Sequence, residues 1–296
     1  MKHSVLIASI LLAACTSCSK DNELNEQVVE RLVPVTVQVS DFSMSMEEIS
    51  GGATRATSSV ANYNGVKVIT LAFYAGDTEV YKSTQLRANE SSYTTFGEFA
   101  CSLPMGSYTM VVLGYGGENA MTLSSKNCAS FPSTDRVRET FVYTENVNVT
   151  NTASLELSAT LSRVVSQLGV ISTDSRTTNA AKIRTTFSAG GQAVDPTTGL
   201  STTNTGFSNT IDAIGAVGSN SSIGSYIFLN SDQQTMDITI DVLDENNNSL
   251  SQKVVNNVPL RRNQRTILKG SLYTSAPGSA SFSVETTWLS ENNIEF

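Results

Sequence analysis

The sequence predicts an all-β protein made of two β-sandwiches in tandem, and three observations support this prediction. Short apolar runs that alternate with polar residues recur along the chain, as expected of half-buried strands. Clusters of Gly, Pro, Asn and Ser separate these runs at the spacing that is typical of sandwich strands. Convincing helical periodicity is absent, and only the stretch from Leu161 to Val170 leaves it open. The 296 residues, of which 40% are hydrophobic, are enough to bury a core in each half.

Composition and charge exclude several classes of function. The formal net charge is −8 and the few Lys and Arg residues are scattered, so we expect no nucleic-acid partner. The single histidine, His3, lies in the segment that we predict to be removed, which excludes imidazole catalysis and histidine-ligated zinc. Carboxylate-only chemistry remains formally open. We therefore expect no metal, no cofactor and no enzymatic activity.

The first residues predict an export signal that ends at a lipid-attachment cysteine. A basic head precedes an apolar run that is well short of the ~20 residues needed to span a bilayer. Leu12-Ala13-Ala14-Cys15 resembles a lipobox, and Cys18, followed by a polar and acidic tract, is the alternative lipid site. The sequence thus predicts a lipoprotein signal peptide over 1–14, a polar tether over 15–30 and an extracytoplasmic location.

The predicted N-terminal sandwich covers residues 31–157. Its first strand contains four valines that alternate with polar residues, namely Val33, Val35, Val37 and Val39. A polar stretch over 47–59 is expected to be an exposed loop. Pro104 and Gly106 predict a tight hairpin between two strands. The strands predicted after the loop are Val66 to Tyr74, Glu79 to Leu86, Tyr93 to Leu103, Tyr108 to Tyr115, and Thr140 to Val149.

The predicted C-terminal sandwich covers residues 158–296. A Gly-, Ser-, Thr- and Asn-rich stretch from Gly190 to Gly224 is expected to be a surface excursion. Cys101 and Cys128 either form a disulfide or remain free thiols, since spacing alone fixes no geometry. The predicted strands are Leu155 to Ile171, Ala181 to Ser188, Ser225 to Asn230, Met236 to Leu243, Ser249 to Val255, Gln264 to Thr274, and Ser281 to Trp288.

The order of these features resembles the fimbrillin superfamily of Bacteroidales, the subunits of type V pili. The resemblance covers almost the whole chain and implies two transthyretin-like β-sandwich domains, an outer-membrane lipoprotein precursor and a structural role in a fimbria that mediates adhesion. It leaves open whether the chain is a shaft, tip or anchor subunit. The matching pieces are the lipobox at Cys15, Leu32 to Ser40, Thr54-Arg55-Ala56, Val66 to Tyr74, Leu103 to Tyr108, Leu161 to Val165, Arg262 to Thr266, and Thr287 to Phe296.

The resemblance also implies a mechanism and its residues. In shaft subunits of this family an arginine-specific protease cuts after a loop arginine, which here corresponds to Arg55 and leaves Ala56 as the new N-terminus. The cut would remove the first strand and open a groove that a strand of another subunit can fill. The expected donor is the C-terminal strand, which otherwise is simply the last strand of the second domain. Its apolar-face residues are Phe282, Val284, Thr286 and Trp288, followed by Ile294 and Phe296.

Two partner classes follow from this reading: other pilus subunits, identical or homologous, and a host or bacterial surface receptor. A competing hypothesis is a surface lipoprotein that stays tethered and binds glycans through exposed aromatic residues such as Tyr115 or Tyr226. Trp288 fits core packing better than a sugar platform, because the sequence shows no aromatic cluster around it.

Overall fold

The structure is a computed structural model that describes residues 31–47, 53–88, 95–117, 121–213, 215–274 and 282–288. These residues form twenty β-strands, all within the compact unit Leu32–Phe296. Among the described residues, no helix has the length and apolar character that crossing a membrane would require. The prediction of an all-β fold is confirmed.

Ten strands belong to the N-terminal part of the chain: β1 Leu32–Glu47, β2 Ala53–Ser59, β3 Val68–Ala75, β4 Thr78–Leu86, β5 Glu98–Pro104, β6 Gly106–Tyr115, β7 Thr122–Ser125, β8 Cys128–Ser130, β9 Thr140–Val149 and β10 Leu155–Arg163. Ten more follow: β11 Ser166–Ser172, β12 Lys182–Phe187, β13 Ala193–Asp195, β14 Leu200–Ser201, β15 Phe207–Asp212, β16 Ser222–Ile227, β17 Gln233–Leu243, β18 Ser249–Arg261, β19 Gln264–Gly270 and β20 Ser283–Trp288.

The first sandwich is one eight-stranded sheet that folds over on itself. Its strand order is β2-β1-β10-β9-β6-β3-β4, and β5 pairs with β1. The first hydrophobic core lies between β1, β5 and β10 on one side and β3, β6 and β9 on the other. Strand β3 is apolar on both faces: Ile69 and Phe73 face this core, while Val68 and Tyr74 face a second one. Burial of both faces explains why the sequence of this strand is a nearly continuous apolar run.

The second sandwich packs two four-stranded sheets face to face. Their orders are β16-β11-β19-β20 and β15-β12-β17-β18. Leu168 and Leu268 of the first sheet share a third hydrophobic core with Ile183, Ile238 and Val258 of the second. The alternation along these strands places every second side chain in this core.

A small sheet, β14-β13-β8-β7, joins strands from the two parts of the chain. Its central pairing sets Val194 of β13 opposite Ala129 of β8, and both side chains are fully buried. The expectation of a surface excursion over Gly190 to Gly224 is therefore wrong. Single apolar residues such as Val194 and Ile223 anchor short strands there, although the surrounding residues are polar.

One local prediction also needs correction. Strands β5 and β6 do not pair with each other, because β5 pairs with β1 whereas β6 pairs with β3 and β9. Pro104 and Gly106 therefore lie at a crossing between layers rather than in a hairpin. The stretch Leu161 to Val170, where helical periodicity was left open, forms the end of β10 and most of β11, within the segment predicted as a strand from Leu155 to Ile171.

Candidate functional site

Strand β1 lies between two neighbouring strands. Its first half runs parallel to β10, with Val35 opposite Leu155, and antiparallel to β5, with Val35 opposite Cys101. Its second half pairs with β10 on one side and β2 on the other. Removal of β1 would therefore uncover backbone groups on both flanks. We call the space that Leu32–Met44 occupies the slot.

The alternating valines of β1 face the first core. Val33, Val35, Val37 and Val39 are 0%, 1%, 0% and 0% exposed. Ser40 is an extra residue in β1, since Val39 is opposite Ala159 and Asp41 is opposite Thr160. After this bulge, Phe42 and Met44 continue the buried face. Each fully buried side chain of this size stabilises the fold by ~1.5–3 kcal/mol, so the β1 face is a major part of the first core.

An aromatic pocket closes the slot around Phe42. The Phe42 ring centroid lies 5.5 Å from that of Tyr63 and 5.0 Å from that of Phe141. A Cβ atom at Gly114 would lie 3.1 Å from the Phe42 ring and 3.2 Å from the Leu161 side chain. Glycine at position 114 thus leaves the room that the ring occupies. We call Tyr63, Gly114, Phe141 and Leu161 the Phe42 pocket.

A buried polar cluster holds one wall of the Phe42 pocket. The Tyr63 hydroxyl donates to the Glu139 carboxylate at 2.6 Å, and Arg163 Nη2 donates to the Tyr63 hydroxyl at 3.1 Å. Arg163 Nε lies 2.8 Å from the other Glu139 oxygen. Arg163 Nη1 donates to Asn263 Oδ1, between β18 and β19, at 3.2 Å. Burial, followed by the Glu139 charge, raises the pKa of Tyr63, so its hydroxyl stays protonated as a donor.

Arg55 lies in a strand rather than in the expected loop. It belongs to β2, opposite Ser45 of β1, and Ala56 is opposite Met44. Polar residues suffice for this pairing because the ladder joins backbone groups. Strand β2 is at the end of the sheet order, so no other described strand lies on its second flank. Cleavage at Arg55 stays a prediction.

The C-terminal strand β20 is the last strand of the second sandwich that the structure describes. It is antiparallel to β19 at the edge of its sheet, with Val284 opposite Leu268. Phe282 packs against the third core, but Val284 is 43% exposed. Thr286 and Trp288 also belong to β20, whereas Ile294 and Phe296 lie outside the described residues. A donor role for this strand stays a prediction.

The two cysteines that could have formed a disulfide lie apart. Cys101 and Cys128 are free thiols on strands of different sheets, so the disulfide alternative is not formed. Burial raises the pKa of Cys101 to about 11.

Tyr115 and Tyr226 are buried in the second core, which corrects their interpretation as exposed glycan-binding residues. The lipid-attachment candidates, Cys15 and Cys18, lie outside the described residues.

The Phe42 pocket and the buried ion pair were missed from the sequence. Phe42 and Met44 follow the four valines with a three-residue step, a signal that would have suggested a bulge and a longer strand. The ion pair gave no such signal. Its members Glu139 and Arg163 meet only because β9 and β10 adjoin at their ends, where Arg163 is opposite Phe141.

Comparisons with known proteins place the chain in a family and show its fold. A family model described as a family of unknown function, DUF6562, matches residues 118–295. Comparison with curated proteins gives no match. A candidate adhesin from Bacteroides ovatus is 10% identical, with a TM-score of 0.50, and the match covers 88% of this chain and 97% of that chain. This likeness shows a shared fold.

Two other solved structures are similar over most of their length. A candidate cell adhesion protein from Bacteroides ovatus has a TM-score of 0.49 and 10% identity, over 88% of this chain and all of that one (100%). The fimbrial anchor protein Mfa2 from Porphyromonas gingivalis has a TM-score of 0.47 and 11% identity, over 88% of this chain and 98% of that one. From the match of its model to more than half of the sequence, the chain belongs to the DUF6562 family.

Proposed function

We propose that the chain is a structural subunit of a cell-surface pilus that takes part in adhesion. It is exported as a lipoprotein precursor and polymerises by strand exchange after cleavage at Arg55. The observation that carries this proposal is the position of β1, a strand with one fully buried face that lies between β10 and β5 and precedes Arg55 in the chain. A single cut there separates an internal strand from the rest of its sandwich.

Loss of β1 would leave a slot whose refilling by another strand is energetically favourable. The slot would expose apolar side chains of β3, β6 and β9 together with unpaired N–H and C=O groups of β10 and β5. Refilling it restores six buried apolar positions, each worth ~1.5–3 kcal/mol. A strand from a second subunit can supply both the backbone pairing and the apolar face.

Lipidation and partners fit this sequence of events. The lipid on Cys15 or Cys18 would hold the precursor at the outer membrane until cleavage, which removes lipid and β1 together. The partners are then other pilus subunits, identical or homologous, and the assembled fibre presents surfaces to a host or bacterial receptor.

An anchor subunit is the second candidate, and the pairing of Arg55 favours it. Arg55 sits in the β1–β2 ladder, and a paired backbone is cut less readily than an open loop. An uncut chain would keep β1 in the slot and its lipid in the membrane. It would then end a fibre at the membrane instead of extending it.

The test is treatment of the purified precursor with an arginine-specific protease. Wild type should lose the segment through Arg55 and form SDS-resistant ladders, whereas Arg55→Ala should form none. Arg261→Ala, an exposed arginine at the end of β18, is the matched control and should behave as wild type. Wild type that stays monomeric after confirmed cleavage would exclude the shaft role and leave the anchor.

A further inference from the structure

The Phe42 pocket survives the proposed cleavage, although the ring that fills it does not. Phe42 lies before Arg55 and would leave with β1. The pocket residues, Tyr63, Gly114, Phe141 and Leu161, all lie after Arg55 and would stay. The processed chain would therefore keep a ring-sized apolar pocket at a fixed place in the slot.

The pocket has rigid walls. Tyr63 is held by Glu139 and Arg163 through hydrogen bonds of 2.6 and 3.1 Å, and its ring packs edge-on against Phe141, with centroids 5.5 Å apart. These contacts do not involve β1. A pocket that is held open in this way favours a ligand that fits without rearrangement.

We propose that the Phe42 pocket is an aromatic anchor site of the slot and that Trp288 of a second copy of this chain fills it. This inference rests on the proposed strand exchange and names the residue that sets its register. Aromatic side chains in well-packed central pockets contribute much of the binding free energy at interfaces.

The spacing of the C-terminal strand supports this register. A regular donor strand that lacks the extra residue of β1 places inward side chains in steps of two. With Trp288 at the place of Phe42, Thr286, Val284, Phe282 and Ala280 take the places of the four β1 valines. With Phe296 there instead, Asn292 and Ser290 would be buried at the places of Val37 and Val35. Burying those polar groups without partners is unfavourable.

Strand β20 is also well placed to leave its sheet. Among the described strands it pairs with β19 alone, and its residue Val284 is 43% exposed. In the slot, the same segment would pair with β10 on one side and β5 on the other. Transfer between subunits thus exchanges one ladder for two and buries Val284.

The test uses a peptide of residues 280–290 and the Trp288→Ala protein, cleaved at Arg55, whose own C-terminal strand lacks the anchor ring and so competes weakly for the slot. Trp288 is the only tryptophan of the chain, so fluorescence then reports the peptide alone. We expect a blue shift on binding, as the indole leaves water. In competition, a Trp288→Ala peptide should bind at least about tenfold more weakly, while a Trp288→Phe peptide should stay close to the original.

A Ser283→Ala peptide is the matched control, because residue 283 would face away from the core, and its affinity should be unchanged. Equal binding of the Trp288 and Trp288→Ala peptides would overturn the anchor site but leave strand exchange intact. Ladders from processed wild type without binding of any peptide would overturn the C-terminal strand as donor. Absence of both ladders and peptide binding would overturn the proposed function and this inference together.

Discussion

Arg163 and Glu139 form an ion pair at 2.8 Å in which the side chains are only 0% and 3% exposed. Through Asn263 the same arginine contacts the turn between β18 and β19 of the second sandwich. One buried cation therefore joins the wall of the Phe42 pocket to the neighbouring domain. Replacing Arg163 should therefore destabilise both the pocket wall and the turn in the second sandwich.

Arg163→Met should lower the free energy of unfolding by about 3–5 kcal/mol, because Glu139 is left as an uncompensated buried charge. The double variant Glu139→Gln, Arg163→Met should lose clearly less free energy of unfolding, because no buried charge is left unpaired. Urea unfolding of the precursor measures both. Lys126→Ala breaks the exposed pair with Asp77 and should cost less than ~1 kcal/mol. Equal losses for the single and double variants would contradict this account.

Val37→Ala should destabilise the uncut precursor by about 1–3 kcal/mol, since a fully buried side chain loses two methyl groups. The processed chain no longer contains residue 37, so ladder formation after cleavage should match wild type. Urea unfolding of the precursor and gel analysis of the processed protein provide the two measurements. Weaker ladders after complete cleavage would show that residue 37 acts after processing, against the proposed displacement.

Cys101 should report the opening of the slot. Its pKa is raised to about 11 by burial, and it is opposite Val35 of β1. At pH 8 almost all of the thiol is protonated, so iodoacetamide should react slowly in the precursor. When β1 leaves, the rate should rise by about tenfold or more as the pKa returns toward its ordinary value. Mass spectrometry follows Cys101, with Cys128 as internal reference. An unchanged Cys101 rate in cleaved chains that are still monomeric would mean that the slot stays closed.

Asp174 should make the second sandwich sensitive to acid. Its carboxylate accepts hydrogen bonds from the Ser271 hydroxyl and from the backbone N–H groups of Leu272, Tyr273 and Thr274. These bonds outweigh the effect of burial and lower its pKa to about 2. A lowered pKa in the folded state stabilises the fold above the unfolded value of 3.8. That contribution is lost as the pH falls through about 2.

Asp174→Asn should therefore cost about 1–2 kcal/mol near pH 7 and much less near pH 2. Thermal unfolding at several pH values measures the difference. Asp244→Asn, at the exposed turn between β17 and β18, is the comparison for a carboxylate outside this segment. A loss for Asp174→Asn that does not shrink toward pH 2 would argue against a role of the charge.

The all-β class and the first strand could be predicted because both depend on the local alternation of apolar and polar residues. The alternation from Val33 to Val39 predicted a strand with one buried face, and that strand is the first half of β1. The neighbours of that strand could not be predicted. Pairing of Val35 with Leu155 joins residues that are far apart in sequence, and no local pattern specifies such a partner.

The candidate site was predicted only in part for the same reason. Arg55 was expected in a loop because its neighbours are polar, yet backbone pairing with β1 makes it part of a strand. Tyr115 and Tyr226 were expected to be exposed, but both are buried. The small sheet of β7, β8, β13 and β14 and the second core cover both side chains. Tertiary contacts decided these three positions.

The parallel pairing of β1 with β10 has a kinetic consequence. Val35 and Leu155 are about 120 residues apart, and closing so long a loop slows folding because much chain entropy is lost before contacts form. During synthesis, β1 therefore cannot pair with β10 until about 120 further residues have been made. The slow step of precursor folding would then serve a segment that the proposed cleavage at Arg55 removes, so the cleaved chain is not expected to refold along the same route.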